Sequence, residues 1–137
     1  FVAQFLGTPP ITLYDGRIEQ GKLWIGNDAV LDVDQKQDQN VVIGVRPEGY
    51  ILKENGHLHN EFVRTEVMGR DMSVLSKNTA CQAPFVRSIL STEHLHLLQD
   101  NQAVFDLKPH KVFLFDVNDG QRLRYALSAI AESRDLE

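Results

Sequence analysis

Val41-Val42-Ile43-Gly44-Val45-Arg46-Pro47-Glu48 is the stretch around which the chain is organised. Its first five residues form the clearest apolar run, and a charged Arg-Pro-Glu ends it abruptly. A short β-branched run bounded by turn signals reads as a buried strand. Pro47 has no N–H to give to a sheet ladder, so the strand ends or meets an edge there.

Working outward, the preceding segment 34–40 is polar and reads as a solvated loop, and 29–33 as a strand after a turn at Gly26-Asn27-Asp28. Residues 17–19 and 22–25 flank Gln20-Gly21, the pattern of a tight hairpin. Residues 11–13 form a short strand candidate that Asp15-Gly16 should turn. Downstream, 50–52 is a short apolar patch before a turn at Glu54-Asn55-Gly56. Residues 57–68 alternate as a half-buried strand with room for a bulge. Gly69-Arg70-Asp71 turns it, and 72–75 returns. Residues 85–90, 103–107, 111–115 and 121–125 are further strand candidates. Leu95-His96-Leu97-Leu98 reads either as a strand or as a short helix capped by Ser91-Thr92-Glu93. One turn about every ten residues, without a long helical pattern, predicts an all-β fold: a small sandwich or barrel. A helical or frayed tail follows, so the expected organisation is a linker at 1–10, a β domain at 11–125 and a tail at 126–137.

The 137 residues suit one domain. With 14 Lys and Arg against 19 Asp and Glu, the net charge of −5 argues against nucleic acid, whose binders need clustered cations. The single cysteine, Cys81, excludes an internal disulfide and fits a reducing compartment. No apolar stretch is long enough to span a bilayer as a helix. The chain opens on Phe1-Val2-Ala3-Gln4-Phe5-Leu6 and then breaks at Gly7-Thr8-Pro9-Pro10. The expectation is a piece of a longer protein, joined to the missing part through this linker.

Motifs of catalysis are absent: no Gly-rich phosphate loop with its Lys, no GxGxxG and no Gly-x-Ser-x-Gly elbow. His57-Leu58-His59 and His94-Leu95-His96 would each offer two imidazoles on one side of a strand, but a metal centre needs a third converging ligand. His110, Cys81 or a carboxylate are the candidates; otherwise the histidines flank turns. Cys81 has Lys77 nearby and no evident base, so it reads as a small hydrophobe. Asp15, Asp28, Asp34, Asp38, Asp116 and Asp119 read as turn residues. Arg46 and Glu48, two apart in extended chain, should project to one side and suit an interface better than catalysis.

The motifs together resemble the C-terminal regulatory domain of ATP-binding subunits of ABC importers, the sugar-importer type above all. That family carries a phrase like Phe-x-Ala-x-Phe-Ile-Gly-x-Pro-Pro-Met-Asn, here Phe1 to Thr12, and a Gly-Ile/Val-Arg-Pro-Glu strand, here Gly44-Val45-Arg46-Pro47-Glu48. Asn60 to Gly69 echoes its middle phrase. Phe113-Leu114-Phe115-Asp116-Val117-Asn118-Asp119-Gly120-Gln121-Arg122-Leu123 echoes its closing one, with Phe113 for the usual His and Asp119 for the usual Thr. Residues 78–102 match no part of the pattern.

The resemblance implies a TOBE domain, an OB-type barrel without catalysis of its own. It would regulate the ATP-binding subunit and help to dimerise it. Gly44, Arg46, Pro47, Glu48, Leu114, Phe115, Asp116 and Gly120 would be its structural and interface signature. The implied partners are the chain's own nucleotide-binding domain, a second copy of the subunit, the membrane permease subunits and a regulatory protein. ATP and Mg would belong to the missing domain, and the place would be cytoplasmic, at the inner face of the cell membrane. The alternative from the same resemblance is a small oxyanion-binding module of the molybdate type, although no Ser/Thr-Ala-Arg-Asn-like loop is present.

Overall fold

The computed structural model describes residues 11–98 and 101–130. The proposed linker at 1–10 therefore lies outside the described residues, as do positions 131–137 of the expected tail. The fold is mostly β, with two curled, nearly closed antiparallel sheets that make it barrel-like. The strands are β1 (Thr12–Glu19), β2 (Lys22–Ile25), β3 (Asp28–Val33), β4 (Gln39–Val45), β5 (Tyr50–Leu52), β6 (Leu58–Met68), β7 (Asp71–Lys77), β8 (Val86–Ser91), β9 (Gln102–Leu107), β10 (Val112–Asp116), β11 (Arg122–Leu123) and β12 (Leu127–Ser128). One sheet runs β11-β10-β4-β1-β2-β3-β12 and the other β5-β9-β6-β7-β8.

The opening stretch lies near the centre of the larger sheet, with β1 on one side and β10 on the other. Val41, Ile43 and Val45 face the main core beside Leu114, Val112 and Tyr14. Pro47 starts a 3-10 turn at Pro47–Gly49, which carries the chain from β4 to β5 in the second sheet. The sheets share one core: Leu23, Leu31 and Ile43 from the first meet Leu58, Val74 and Phe105 from the second. Burying an aliphatic or aromatic side chain contributes about 1.5–3 kcal/mol, so this shared core is what holds the two sheets together.

A buried polar junction crosses the same interface. The Tyr14 hydroxyl of β1 meets the Tyr50 hydroxyl of β5 at 2.7 Å. Asn60 of β6 donates to Ser76 Oγ of β7 at 3.1 Å and accepts from Asn78 at 2.8 Å. Asn60 also bonds Tyr14, and Thr12 bonds Tyr50. Burial, and then the charge and hydroxyl of Tyr50, push the Tyr14 phenol far above its ordinary range; burial does the same to Tyr50. Both phenols therefore stay neutral and serve as hydrogen-bonding groups. Such a satisfied network fixes the relative placement of its strands more strictly than apolar contact does.

Three local expectations are corrected. Asp15-Gly16 does not turn the chain, because β1 continues through it to Glu19. A Cβ at Gly16 would collide with the Ile43 side chain and lie 2.7 Å from the Trp24 carbonyl oxygen, so this glycine serves close strand packing. Arg122–Leu123 is all that forms of the strand expected at 121–125. Within the expected tail, Leu127 and Ser128 pair with Val33 and Asp32 of β3. The 92–97 segment settles as a 3-10 helix, with Ser91 Oγ accepting from the Glu93 N–H at 3.4 Å.

Candidate functional site

The two signature stretches of the sequence lie on adjacent strands. Gly44 stands opposite Phe113, Ile43 opposite Leu114 and Val42 opposite Phe115. Strand alternation then sorts these residues by face. Leu114 joins the main core at 2% exposure, and Pro47 is also buried. Gly44, Phe113 and Phe115 fall on the outer face, where Val42 and Phe115 are buried among Ile11, Leu13 and Phe113. A Cβ on Gly44 would come within 2.6 Å of Ile11 Cδ1 and 3.2 Å of Phe115 Cε2, so a side chain there would have to push the Ile11 tip aside.

Asp116 and Gly120 build a turn. Asp116 Oδ1 accepts from the Asn118 N–H at 2.7 Å, its carbonyl accepts from the Gly120 N–H, and Asp119 Oδ1 accepts from the Gln121 N–H. Gly120 has a φ of +74°, the left-handed region that favours glycine. These two signature residues thus place β11 beside β10 and carry no free chemistry.

The outward residues of the signature are Arg46 and Glu48, and the geometry corrects how they get there. The chain is not extended at Pro47, so they do not project together by simple alternation. Instead both fold onto the start of β10. The Arg46 guanidinium lies over the Phe113 ring at 5.4 Å, and Glu48 pairs with Lys111 at 3.3 Å. Arg122 lies over the same ring at 4.5 Å. Phe113 therefore lies within cation–π reach of two guanidinium groups. Burial lowers the Arg122 pKa, and neighbouring Arg124 lowers it further. Burial tends to raise the Glu48 carboxyl, but hydrogen bonds from its own N–H and Lys111, with the charges of Lys111 and Arg46, hold it below the usual range. On a chain of net charge −5, Arg46 and Arg122 meet at the Phe113 ring, with Arg124 near Arg122, while Lys111 and Arg46 act on the Glu48 carboxylate. Phe113 and Arg122 both lie within the closing phrase, but nothing in its residue pattern marks them as a stack. Arg122 reaches Phe113 across the β10–β11 pairing, and the missing signal for Arg46 was the β4–β10 pairing, which joins positions about seventy residues apart.

The paired histidines separate. His57 Nδ1 meets Asp106 Oδ1 at 2.7 Å, and His59 Nδ1 meets Asp28 Oδ1 at 3.2 Å. His94 and His96 lie on the 3-10 helix, where spacing two does not align side chains as it does on a strand. Among the described residues no three His, Cys, Asp or Glu side chains converge as a metal site. His59 and Asp28 line a cleft of about 630 Å³ that also holds Cys81, Glu61 and Lys77. Burial and the Asp15 charge raise the Cys81 pKa, despite a backbone hydrogen bond from Ala83. A nucleophilic thiol needs the opposite shift. Cys81 instead packs against the core and forms a bridge with Tyr14, which attaches the segment after β7 to the edge of β1.

A second cleft, of about 480 Å³, holds His57, Asp106, Lys53, Lys108 and His110. Burial tends to raise the Asp106 carboxyl. Hydrogen bonds from the His57 ring and backbone N–H and from Lys53 outweigh it and hold the carboxyl below its ordinary value. Asp106 ties the 53–58 segment to β9 by these bonds.

Compared with models of known families and with curated proteins, the chain finds no match.

Proposed function

We propose that this chain is a non-catalytic regulatory and dimerisation module of the ATP-binding subunit of an ABC-type importer, for sugars or related small solutes. The observation that carries the reading is the outer face of β4 and β10. The Gly44–Glu48 phrase and the closing phrase, quoted for the resemblance from distant parts of the sequence, meet there. Their outward residues form a cationic, aromatic-centred edge around Phe113. Arg-rich edges with an aromatic centre are suited to protein contacts, where Arg and aromatic residues concentrate the binding energy. The barrel-like fold agrees with a TOBE domain, though a fold alone does not carry a function.

On this reading the Phe113 edge meets an acidic surface of the adjoining nucleotide-binding domain or of the second subunit. ATP and Mg act on that other domain, and the permease subunits are reached through it. The decisive test is the sequence that precedes Phe1 in the parent gene. An ABC signature motif and a switch histidine are expected there, and an unrelated upstream domain would overturn the proposal. The purified chain should also show no ATP hydrolysis; specific turnover by it would equally sink the idea.

A further inference from the structure

We propose that the cleft between the β2–β3 turn and the β6–β7 ladder binds a small zwitterion, an α-amino acid with an apolar side chain. The cleft, of about 630 Å³, is walled by both sheets. Gly26, Asn27 and Asp28 come from one sheet and the turn within it; His59, Glu61 and Lys77 come from the other. Strand alternation sends His59 and Glu61 to the outer face of β6, away from buried Leu58 and Asn60. Glu61 stands in register with Lys77 of β7, so the two side chains start from neighbouring points on that face.

Opposite charges in that relation attract, yet among the described residues neither forms an ion pair. The Lys77 ammonium lies over the Phe85 ring at 5.7 Å instead. Asp28 is already engaged, because it accepts from the His59 backbone N–H at 2.9 Å and meets the His59 ring at 3.2 Å. The cleft therefore presents one carboxylate beside one ammonium. A pure anion would meet Lys77 but face the Glu61 charge, and a pure cation would meet Glu61 but face Lys77. A zwitterion with its ammonium toward Glu61 and its carboxylate toward Lys77 satisfies both with charge-assisted bonds. In an α-amino acid the two charged groups share one carbon, which suits side chains on directly opposed strand residues, whose Cβ atoms stand about 4.5–5.5 Å apart. Ile25, Ala83 and Pro84 form an apolar part of the wall, fit for an apolar side chain. The chain directly after Lys77 is fixed from behind. Asn78 donates to Asn60 Oδ1 at 2.8 Å, and the Ala80 N–H donates to Asn78 Oδ1 at 2.8 Å.

This inference stands on the cleft alone and not on the importer reading, so either can fail without the other. The test is isothermal titration of the chain with L-leucine, with leucine methyl ester, which lacks the negative charge, and with N-acetyl-leucine, which lacks the positive one. L-leucine should bind saturably, and each derivative at least about tenfold more weakly. Glu61→Gln should weaken leucine binding about tenfold and erase its advantage over N-acetyl-leucine; Lys77→Met should weaken it similarly and erase its advantage over the methyl ester. Both residues are exposed, and unchanged melting temperatures would show that the variants fold. The absence of saturable leucine binding up to about 10 mM overturns the proposal. So do derivatives that bind as well as leucine, or leucine binding indifferent to either substitution.

Discussion

The two ends of β6 belong to one strand and obey different rules. At the inner end, Leu58 is fully buried, pairs with Phe105 and is surrounded by both sheets. Asn60, two residues on, bonds Ser76, Asn78 and Tyr14. At the outer end, Arg64 and Glu66 pair with each other across 3.3 Å of surface, and Val67 and Met68 face solvent. The inner end is specified by packing and hydrogen bonds that admit few substitutes. Among the described residues the outer end is paired only with β7, with Arg87 of β8 reaching Glu66 at 3.7 Å, and most of its side chains are exposed. One strand thus joins a fixed scaffold to a surface that is adjustable.

Substitutions along β6 test that contrast, and the largest effect is expected at Leu58. Leu58→Ala should lower unfolding free energy by about 3 kcal/mol, since a cavity would open between the sheets; urea denaturation measures it. A loss below 1 kcal/mol would mean that the inner end is less tightly packed than its burial indicates. Asn60→Ala should cost about 2 kcal/mol, because Ser76, Asn78 and Tyr14 each lose a buried partner. Double-mutant cycles with Tyr14→Phe should show coupling between the sheets, whereas additivity would break the idea of one shared polar junction.

Asp106, which fixes the chain just ahead of Leu58, should make the stability of the inner end depend on acid. Its folded pKa lies below the unfolded one, so the folded protein binds fewer protons from this group. Its contribution is therefore complete above an unfolded value of about 4 and is lost as pH falls through the folded value. Asp106→Asn should cost about 1 kcal/mol at neutral pH and remove this part of the acid dependence. Denaturation curves of both proteins at several acidic pH values would reveal an unchanged slope if the His57 and Lys53 contacts carry no weight. The smallest effect belongs to the outer end: Val67→Ala should change monomer stability by less than about 0.5 kcal/mol. A larger loss in thermal melting would show that the outer end is part of the scaffold after all.

What the sequence made legible follows from the range of the forces involved. The hairpin at Gln20-Gly21, the end of β4 at Pro47 and the bulge in β6 depend on neighbours a few residues away, and all three appear in the structure. Asp15-Gly16 misled because the same dipeptide serves a turn or a tight strand crossing. Only the position of Ile43, distant in sequence, decides which. The candidate site was legible as two phrases but not as one surface. Arg122 reaches Phe113 across the short β10–β11 turn, but Arg46 reaches it only through the β4–β10 pairing, which no local pattern encodes. The histidine pairs were legible as spacing, yet their carboxylate partners lie 31 and 49 positions away.

The bulge in β6 shifts the phase of the pleat. Phe62 pairs with Ser76 and Arg64 with the very next residue of β7, Leu75, so Val63 is the uncounted residue. Before it, the even positions Leu58, Asn60 and Phe62 turn to the core; after it, the odd positions Thr65 and Val67 share the face of Val74 and Met72. Were Val63 paired with Leu75 instead of bulged, Arg64 and Glu66 would be the ones turned toward Val74 and Met72. Val63 therefore acts like a one-letter insertion that keeps two messages in one strand readable. A residue added or lost beyond it would turn every later side chain of β6 to the other face.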